Sequence, residues 1–204
     1  RNLSLDDVPY ARASWFHGWL MHDALYSELI LDDDNIACAI AKECKNLVTN
    51  KEQEELLKRN GYPNANAVGL PFLYTSYQSV DRIPNSLLIL PEHSLKEKNS
   101  TSSILTLDNI KSLKSKFSVI VACLGGFCAQ NSCYTKQFEE LDIPWITGAW
   151  INDSCALQRM RNLFSQFEFV ATDSLGSHVP YSGYCGCKVQ YYGQGINRSR
   201  EDFL

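Results

Sequence analysis

The chain alternates short apolar runs with longer segments in which apolar residues recur every three or four positions. Short apolar runs bounded by turn residues are typical of buried strands, and longer periodic segments are typical of helices. Strands are therefore predicted at residues 47–49, 67–70, 86–90, 119–124, 144–147, 167–171 and 187–192, and helices at residues 20–31, 105–116, 134–141 and 154–164. Repeated strand and helix units predict an α/β fold, with a parallel sheet, helices on both faces and right-handed crossovers.

The first part of the chain contains one strand, helix and strand unit with clear boundaries. Asn50 is predicted to cap a helix over residues 51–59, and Asn60-Gly61 is predicted to end it. A polar segment without periodicity follows at residues 75–85 and predicts a linker. The sequence thus predicts a partial N-terminal lobe over residues 1–74, the linker over residues 75–85, and a Rossmann-like lobe over residues 86–204.

The stretch from residue 167 to 193 places its polar residues at a single turn between two strands. Ser177 is a candidate helix cap, Pro180 suits a first helical turn, and Gly186 is placed to end a helix of about two turns. The first backbone N–H groups of a helix lack internal partners and carry a partial positive charge. The turn at Gly176-Ser177-His178 is therefore a candidate phosphate site, although such helix starts usually bind only water.

Polar residues and glycines also follow the other predicted strands of the second lobe. In a parallel sheet, ligands bind beyond the carboxyl ends of the strands. The residues that fall at this edge are Glu92, His93 and Ser94, then Gly125 and Gly126, then Trp150 and Asn152, and finally Ser174 to His178. Any one of these loops is usually just a turn, but four loops at one edge favour a nucleotide-type pocket.

His17 follows the first strand candidate, in the segment Trp15-Phe16-His17-Gly18-Trp19. A histidine at the end of a strand can project an imidazole into a cleft, where its pKa suits a general base near neutral pH. The structural alternative is an imidazole packed between Trp15 and Trp19. Both interpretations stay open at the level of sequence.

Composition narrows the class of protein. The chain has 45% hydrophobic and 21% charged residues and a formal net charge of −4, as expected for a globular protein without a basic stripe for nucleic acid. No run approaches the roughly 20 apolar residues of a membrane-spanning helix. The spacings of the eight cysteines match no structural zinc motif and favour reduced, buried thiols over disulfides.

Four segments resemble GT-B glycosyltransferase-like proteins of bacterial capsule and lipopolysaccharide biosynthesis. The segments are HGW at 17–19, VTNKEQEELLKRNGYPNANAVGLPF at 48–72, SLLILPEHSL at 86–95 and FVATDSLGSHVPYSGYCGCKVQYYG at 169–193. In that architecture two Rossmann-like lobes face each other. The acceptor lies mainly on the first lobe, and the nucleotide-sugar donor lies against the second.

The resemblance implies a role for each matching residue. Gly176, Ser177 and His178 match the donor-phosphate loop, and Glu92, His93 and Ser94 match the first loop of the donor lobe, near phosphate or ribose. His17 lies where residues of the first lobe face the acceptor and would be the catalytic base. Gly125 and Gly126 are expected to bind phosphate because of their position after a predicted strand, and not through the resemblance. The resemblance further implies metal-independent transfer without a cofactor, from a nucleotide-sugar to a glycan or lipid-linked acceptor. The expected location is the cytoplasm, with contact at the inner face of the membrane.

The sequence departs from this pattern in length, because only about 70 residues precede the predicted linker. We therefore expect a fragment of a longer protein, with a nearly complete donor lobe and doubtful catalysis by this chain alone. Two alternatives follow. One is a non-catalytic nucleotide-binding or scaffold lobe, and the other is a GT-B-type sugar-nucleotide epimerase.

Overall fold

The computed structural model describes residues 13–15, 42–77, 79–92, 107–130, 134–150 and 153–192. The chain divides into two compact units, Arg1–Tyr74 and Thr75–Leu204. Each unit has its own parallel sheet.

The first unit is built on a three-stranded parallel sheet with the order β1-β2-β3. Its elements are β1 (Ala13–Trp15), β2 (Lys45–Val48), α1 (Lys51–Arg59), β3 (Ala65–Ala67) and a 3-10 helix (Pro71–Tyr74). Its core consists of Val48, Leu57, Tyr62 and Ala65, all of which are buried. The third strand begins two residues earlier than predicted, because the Ala65 side chain fills this core.

The boundaries predicted for α1 are confirmed. The Asn50 side chain accepts from the Gln53 amide at 2.9 Å, and the Gln53 side chain accepts from the Thr49 amide at 2.9 Å. These two bonds form a reciprocal cap of the helix start. At the other end the chain passes through Asn60 to Gly61, whose φ of +87° is readily accessible only to glycine.

One carboxylate ties α1 to the sheet of the first unit. Glu54 accepts from Lys51 at 2.8 Å, from Lys58 at 2.7 Å and from the Ala67 amide at 2.7 Å. The hydrogen bonds from Lys51, from Lys58 and from the amide lower the pKa of Glu54 to about 2. Since the amide belongs to β3, protonation of Glu54 weakens the contact between helix and strand.

The described part of the second unit contains a larger sheet of five strands and five helices. Its described elements are β4 (Ile83–Leu90), α2 (Leu107–Lys116), β5 (Val119–Leu124), α3 (Gly126–Gln130), α4 (Thr135–Glu140), β6 (Trp145–Thr147), α5 (Ala156–Gln166), β7 (Phe167–Thr172), α6 (His178–Tyr184) and β8 (Lys188–Tyr191). All strand pairs are parallel, in the order β6-β5-β4-β7-β8. The predicted α/β class with a Rossmann-like parallel sheet is confirmed.

The central strand β4 is covered on both faces. Leu87 and Ile89 point to one face and pack with Ile110 of α2 and Phe138 of α4. Leu88 points to the opposite face, because successive side chains of a strand alternate, and it is also fully buried. This explains why the sequence of β4 is a continuous apolar run and not an alternating pattern.

The polar segment predicted as a linker is bound to the second unit. Its last three residues belong to β4, which starts at Ile83. Arg82 donates to the carbonyl oxygens of Phe167 at 2.6 Å and Cys185 at 2.5 Å, and the Ser76 amide donates to the Gln158 side chain at 2.8 Å. The segment shows no periodicity because hydrogen bonds to residues distant in sequence, rather than an apolar face, hold it.

Candidate functional site

The strand order of the second unit changes direction between β4 and β7. From β4 the chain moves outward through β5 to β6, then returns to the other side of β4 at β7 and continues to β8. With right-handed crossovers, the helices that follow β4 and β7, α2 and α6, are therefore expected on opposite faces of the sheet. In open α/β sheets this switch point is where a crevice forms and ligands bind.

Two acidic residues meet at the switch point. Glu92 follows β4, Asp173 follows β7, and the Glu92 amide donates to Asp173 Oδ1 at 2.7 Å. Glu92 is 9% exposed and Asp173 is 5% exposed. Glu92, the second residue after β4, is thus joined to Asp173, the first residue after β7, and both acidic residues are buried.

The turn after β7 is closed by its own polar groups. His178 Nε2 lies 2.9 Å from Thr172 Oγ1 and 3.0 Å from the Ser174 carbonyl oxygen. Since a carbonyl oxygen can only accept, the contact with Ser174 favours the tautomer that carries its proton on Nε2. Gly176 allows this arrangement, because a Cβ atom on it would lie 3.2 Å from Nδ1 of His178. His178 therefore holds the shape of the turn.

Ser177 occupies the position before α6, but its side chain makes no capping hydrogen bond. The predicted cap is wrong, because the hydroxyl bonds instead to the phenol of Tyr181 one turn further on. Burial raises the pKa of Tyr181, and the hydrogen bond with Ser177 opposes that rise. The rest of the prediction for this helix agrees with the structure, since α6 has seven residues and Gly186 ends it with a φ of +86°.

The glycine pair after β5 is in contact with a tryptophan. Gly126 is buried at the start of α3, and a Cβ atom there would overlap the ring of Trp150. The Gly125 carbonyl accepts from the Ala129 amide at 3.0 Å, inside the first turn of α3. Packing against Trp150 is therefore sufficient to account for a glycine at position 126. The helix itself was not predicted, because Gly-Gly is typical of a turn.

Four of the predicted site residues lie outside the residues that the structure describes: His17, His93, Ser94 and Asn152. Of the remaining predicted residues, Glu92 and the segment from Gly176 to His178 follow neighbouring strands and lie at the switch point. Gly125 and Gly126 lie one strand further along, after β5.

Sequence reasoning missed three residues at this edge. Asp173 was not singled out, although an acidic residue directly after a buried strand is a recognisable signal. Phe127 and Leu175 are exposed apolar side chains in the connections that follow β5 and β7, on either side of β4. They expose apolar surface in the connections at the carboxyl edge of the sheet.

Neither a metal cluster nor a membrane span is found in the described part of the chain. No group of three or more His, Cys, Asp or Glu side chains there is arranged to hold a metal ion. None of the helices in that part combines the length and apolar character needed to cross a bilayer.

The fold and the switch point together define an α/β protein with a Rossmann-like second unit. Comparison with models of known protein families gives no match, and comparison with curated proteins also gives no match.

Proposed function

We propose that the second unit binds a nucleotide-sugar at the switch point between β4 and β7. We further propose that the chain is a metal-independent glycosyltransferase, or the donor-binding portion of one. One observation carries this proposal. The strand order reverses where two buried acidic residues, Glu92 and Asp173, are joined by a 2.7 Å hydrogen bond.

The chemistry of this edge suits a ligand rich in hydroxyl groups. Ionised carboxylates accept hydrogen bonds, and in Rossmann-like sites an acidic residue typically binds the ribose hydroxyls. Glu92 or Asp173 would perform this role for ribose or for the transferred sugar. The exposed side chains of Phe127 and Leu175 would contact the apolar faces of the base or the sugar.

The turn after β7 supports binding through its rigidity. Thr172, Ser174 and His178 are hydrogen-bonded to one another within the turn. A loop that is ordered before binding loses less entropy when the ligand arrives. In this proposal His178 is a positioning residue, and the backbone from Gly176 to His178 faces the donor phosphates.

The acceptor side of the proposal rests on the resemblance to GT-B glycosyltransferase-like proteins. That resemblance assigns the acceptor, a glycan or a lipid-linked sugar of the bacterial surface, to the first lobe. It also assigns His17 as the base, and it supports a cytoplasmic location at the inner face of the membrane. A sugar-nucleotide epimerase would use the same donor site.

A specific observation favours a second candidate, a non-catalytic nucleotide-binding lobe. The side chains of Ser177 and His178 are both engaged inside the turn, with Tyr181 and Thr172 respectively. These contacts do not direct either side chain toward the leaving group of a sugar transfer. Such a site would bind a nucleotide without contributing side-chain chemistry from the second unit.

Calorimetric titration with UDP, GDP, CMP and their sugars tests the proposal. We expect one base to bind, and Asp173→Asn to weaken its binding at least about tenfold, because a hydrogen bond to a charged group is lost. The variant keeps an oxygen acceptor for the Glu92 amide, so the loops stay joined. Glu140→Gln, at an exposed position of α4, is the matched control and should bind as the parent chain does.

Three results separate the candidates. Absence of binding by every nucleotide, or equal binding by Asp173→Asn, would refute a site at the switch point. Binding followed by release of free nucleotide in the presence of acceptor, lost in His17→Ala, would support the transferase. Binding without release would favour the non-catalytic lobe.

A further inference from the structure

A cavity lies at the amino edge of the sheet of the second unit, opposite to the switch point. It has a volume of about 400 Å³ and is lined by Tyr77, Arg161, Ser165, Tyr184, Cys185 and Gly186. We call it the Arg161 cavity. Its lining residues precede β4, β7 and β8 in the chain, whereas the switch point follows β4 and β7. The length of β7, about 17 Å for six residues, separates the two places.

Arg161 is a buried cation without a counter-anion among the described residues. Only 9% of the residue is exposed. Nη1 donates to the Thr75 carbonyl at 2.5 Å and to the Thr75 hydroxyl at 3.1 Å, while Nε is buried and makes no hydrogen bond. None of the ion pairs in the described part of the chain includes Arg161. Its charge is therefore balanced by neutral acceptors only.

Two tyrosine rings cover the guanidinium. The Arg161 Cζ atom lies 5.6 Å from the ring centroid of Tyr77 and 5.4 Å from that of Tyr184. Both rings are largely exposed, at 65% and 55%, so they form walls between the cation and solvent. Aromatic faces attract a cation through their quadrupole, but they do not supply a negative charge.

A second guanidinium lies beside the same cavity. Arg82 Nη2 donates to the Cys185 carbonyl at 2.5 Å and would be 3.1 Å from a Cβ atom on Gly186. Burial raises the pKa of the Cys185 thiol, and a hydrogen bond with Ser165 and the charges of Arg161 and Arg82 oppose that rise. Both guanidinium charges thus act against the rise in the pKa of Cys185 in the cavity wall, and the electrostatic potential there is positive.

We propose that the Arg161 cavity binds a small organic anion. Its carboxylate or phosphate group pairs with the guanidinium of Arg161, and its organic body packs against the rings of Tyr77 and Tyr184. A buried cation without a counter-anion is costly, and an anion in the cavity lowers that cost. The planar fork of arginine matches both oxyanions, and the volume lies within the range of small-molecule sites.

Calorimetric titration of the whole chain at fixed ionic strength in chloride tests this site, with benzoate and phenyl phosphate as anionic probes and phenol as the neutral probe. We expect saturable binding of an anionic probe and no binding of phenol. Arg161→Gln should weaken the binding at least about tenfold. Tyr184→Ala should weaken it as well, and this exposed position should not affect folding.

Arg159→Gln is the matched control, because Arg159 lies two residues away on the same helix and pairs at the surface with Asp153 at 2.7 Å. It should bind the probe as the parent chain does, and so should Asp173→Asn at the switch point. Preference for phenyl phosphate would identify phosphorylated ligands, and preference for benzoate would identify carboxylates. The proposal is overturned if neither anion binds, if binding persists in both cavity variants, or if Arg159→Gln weakens it equally.

Discussion

Replacement of Gly126 by alanine tests whether this glycine is needed for packing or for a ligand. A Cβ atom at this position would overlap the indole ring of Trp150, and even the third-nearest ring atom, Cδ2, would be only 2.6 Å away. Carbon atoms in contact lie about 3.5 to 4.0 Å apart. The ring must therefore retreat by at least about 1 Å, and we expect Gly126→Ala to destabilise the fold by about 1 to 3 kcal/mol.

The double variant Gly126→Ala/Trp150→Ala measures how much of this cost comes from the contact between the two residues. Truncation of a fully buried tryptophan costs about 3 to 5 kcal/mol, and the half-buried Trp150 should lose about half of that. Once the ring is absent, the added methyl group meets no clash. Gly126→Ala should then cost less than about 0.5 kcal/mol in the Trp150→Ala background, which corresponds to a coupling of about 1 to 3 kcal/mol.

Urea unfolding of the parent chain, the two single variants and the double variant measures these differences. The slope of the unfolding free energy against urea concentration should be the same in all four proteins. Additive effects of Gly126→Ala and Trp150→Ala would refute the packing explanation. If Gly126 also served a ligand through its backbone, the alanine would impair nucleotide binding even without the tryptophan. The same four proteins titrated with the nucleotide that binds best therefore separate the two roles.

Three further outcomes follow from individual side chains. The pKa of Glu54 falls from its ordinary value of 4.5 to about 2 in the folded chain, so its contribution to the free energy of unfolding is complete above pH 4.5 and is lost as the pH falls towards 2. In acid unfolding, Glu54→Gln should lack this dependence of the free energy on pH. Gly183→Ala should raise the free energy of unfolding by up to about 1 kcal/mol in urea, because the added Cβ meets no atom within 4 Å inside a helix, and a lower value would contradict this. Burial raises the pKa of Cys123 to about 12, so peptide mapping after brief alkylation at pH 8 should find label on the exposed Cys155 and on Cys123 only after unfolding.

The order of strands and helices could be predicted because it depends on local signals. The apolar run of β5 and the cap at Asn50 need no information from distant residues, and both were placed correctly. The carboxyl edge of the sheet was also found, since each parallel strand ends where its polar loop begins. For this reason the sequence alone could assign Glu92 and the turn at residues 176–178 to the carboxyl edge of the sheet.

The details of the site depend on contacts that sequence periodicity does not show. Asp173 accepts from an amide 81 positions earlier, and Arg82 donates to carbonyl oxygens 85 and 103 positions later. Ser177 was predicted to be a helix cap by residue type, but a tyrosine one turn away binds its hydroxyl instead. Residue type gave the capacity to form a hydrogen bond, and only the tertiary structure selected the partner.

The strand β7 links the two proposed sites and also keeps them separate. It pairs with β4 on one side and β8 on the other, so its ends cannot shift independently of the sheet. Asp173 extends from one end into the switch point, while the Phe167 carbonyl at the other end accepts from Arg82 beside the Arg161 cavity. Substitutions more than about 10 Å apart that share no partner are usually additive. An anion in the cavity should therefore leave nucleotide affinity unchanged, unless binding at one end alters the register of β7.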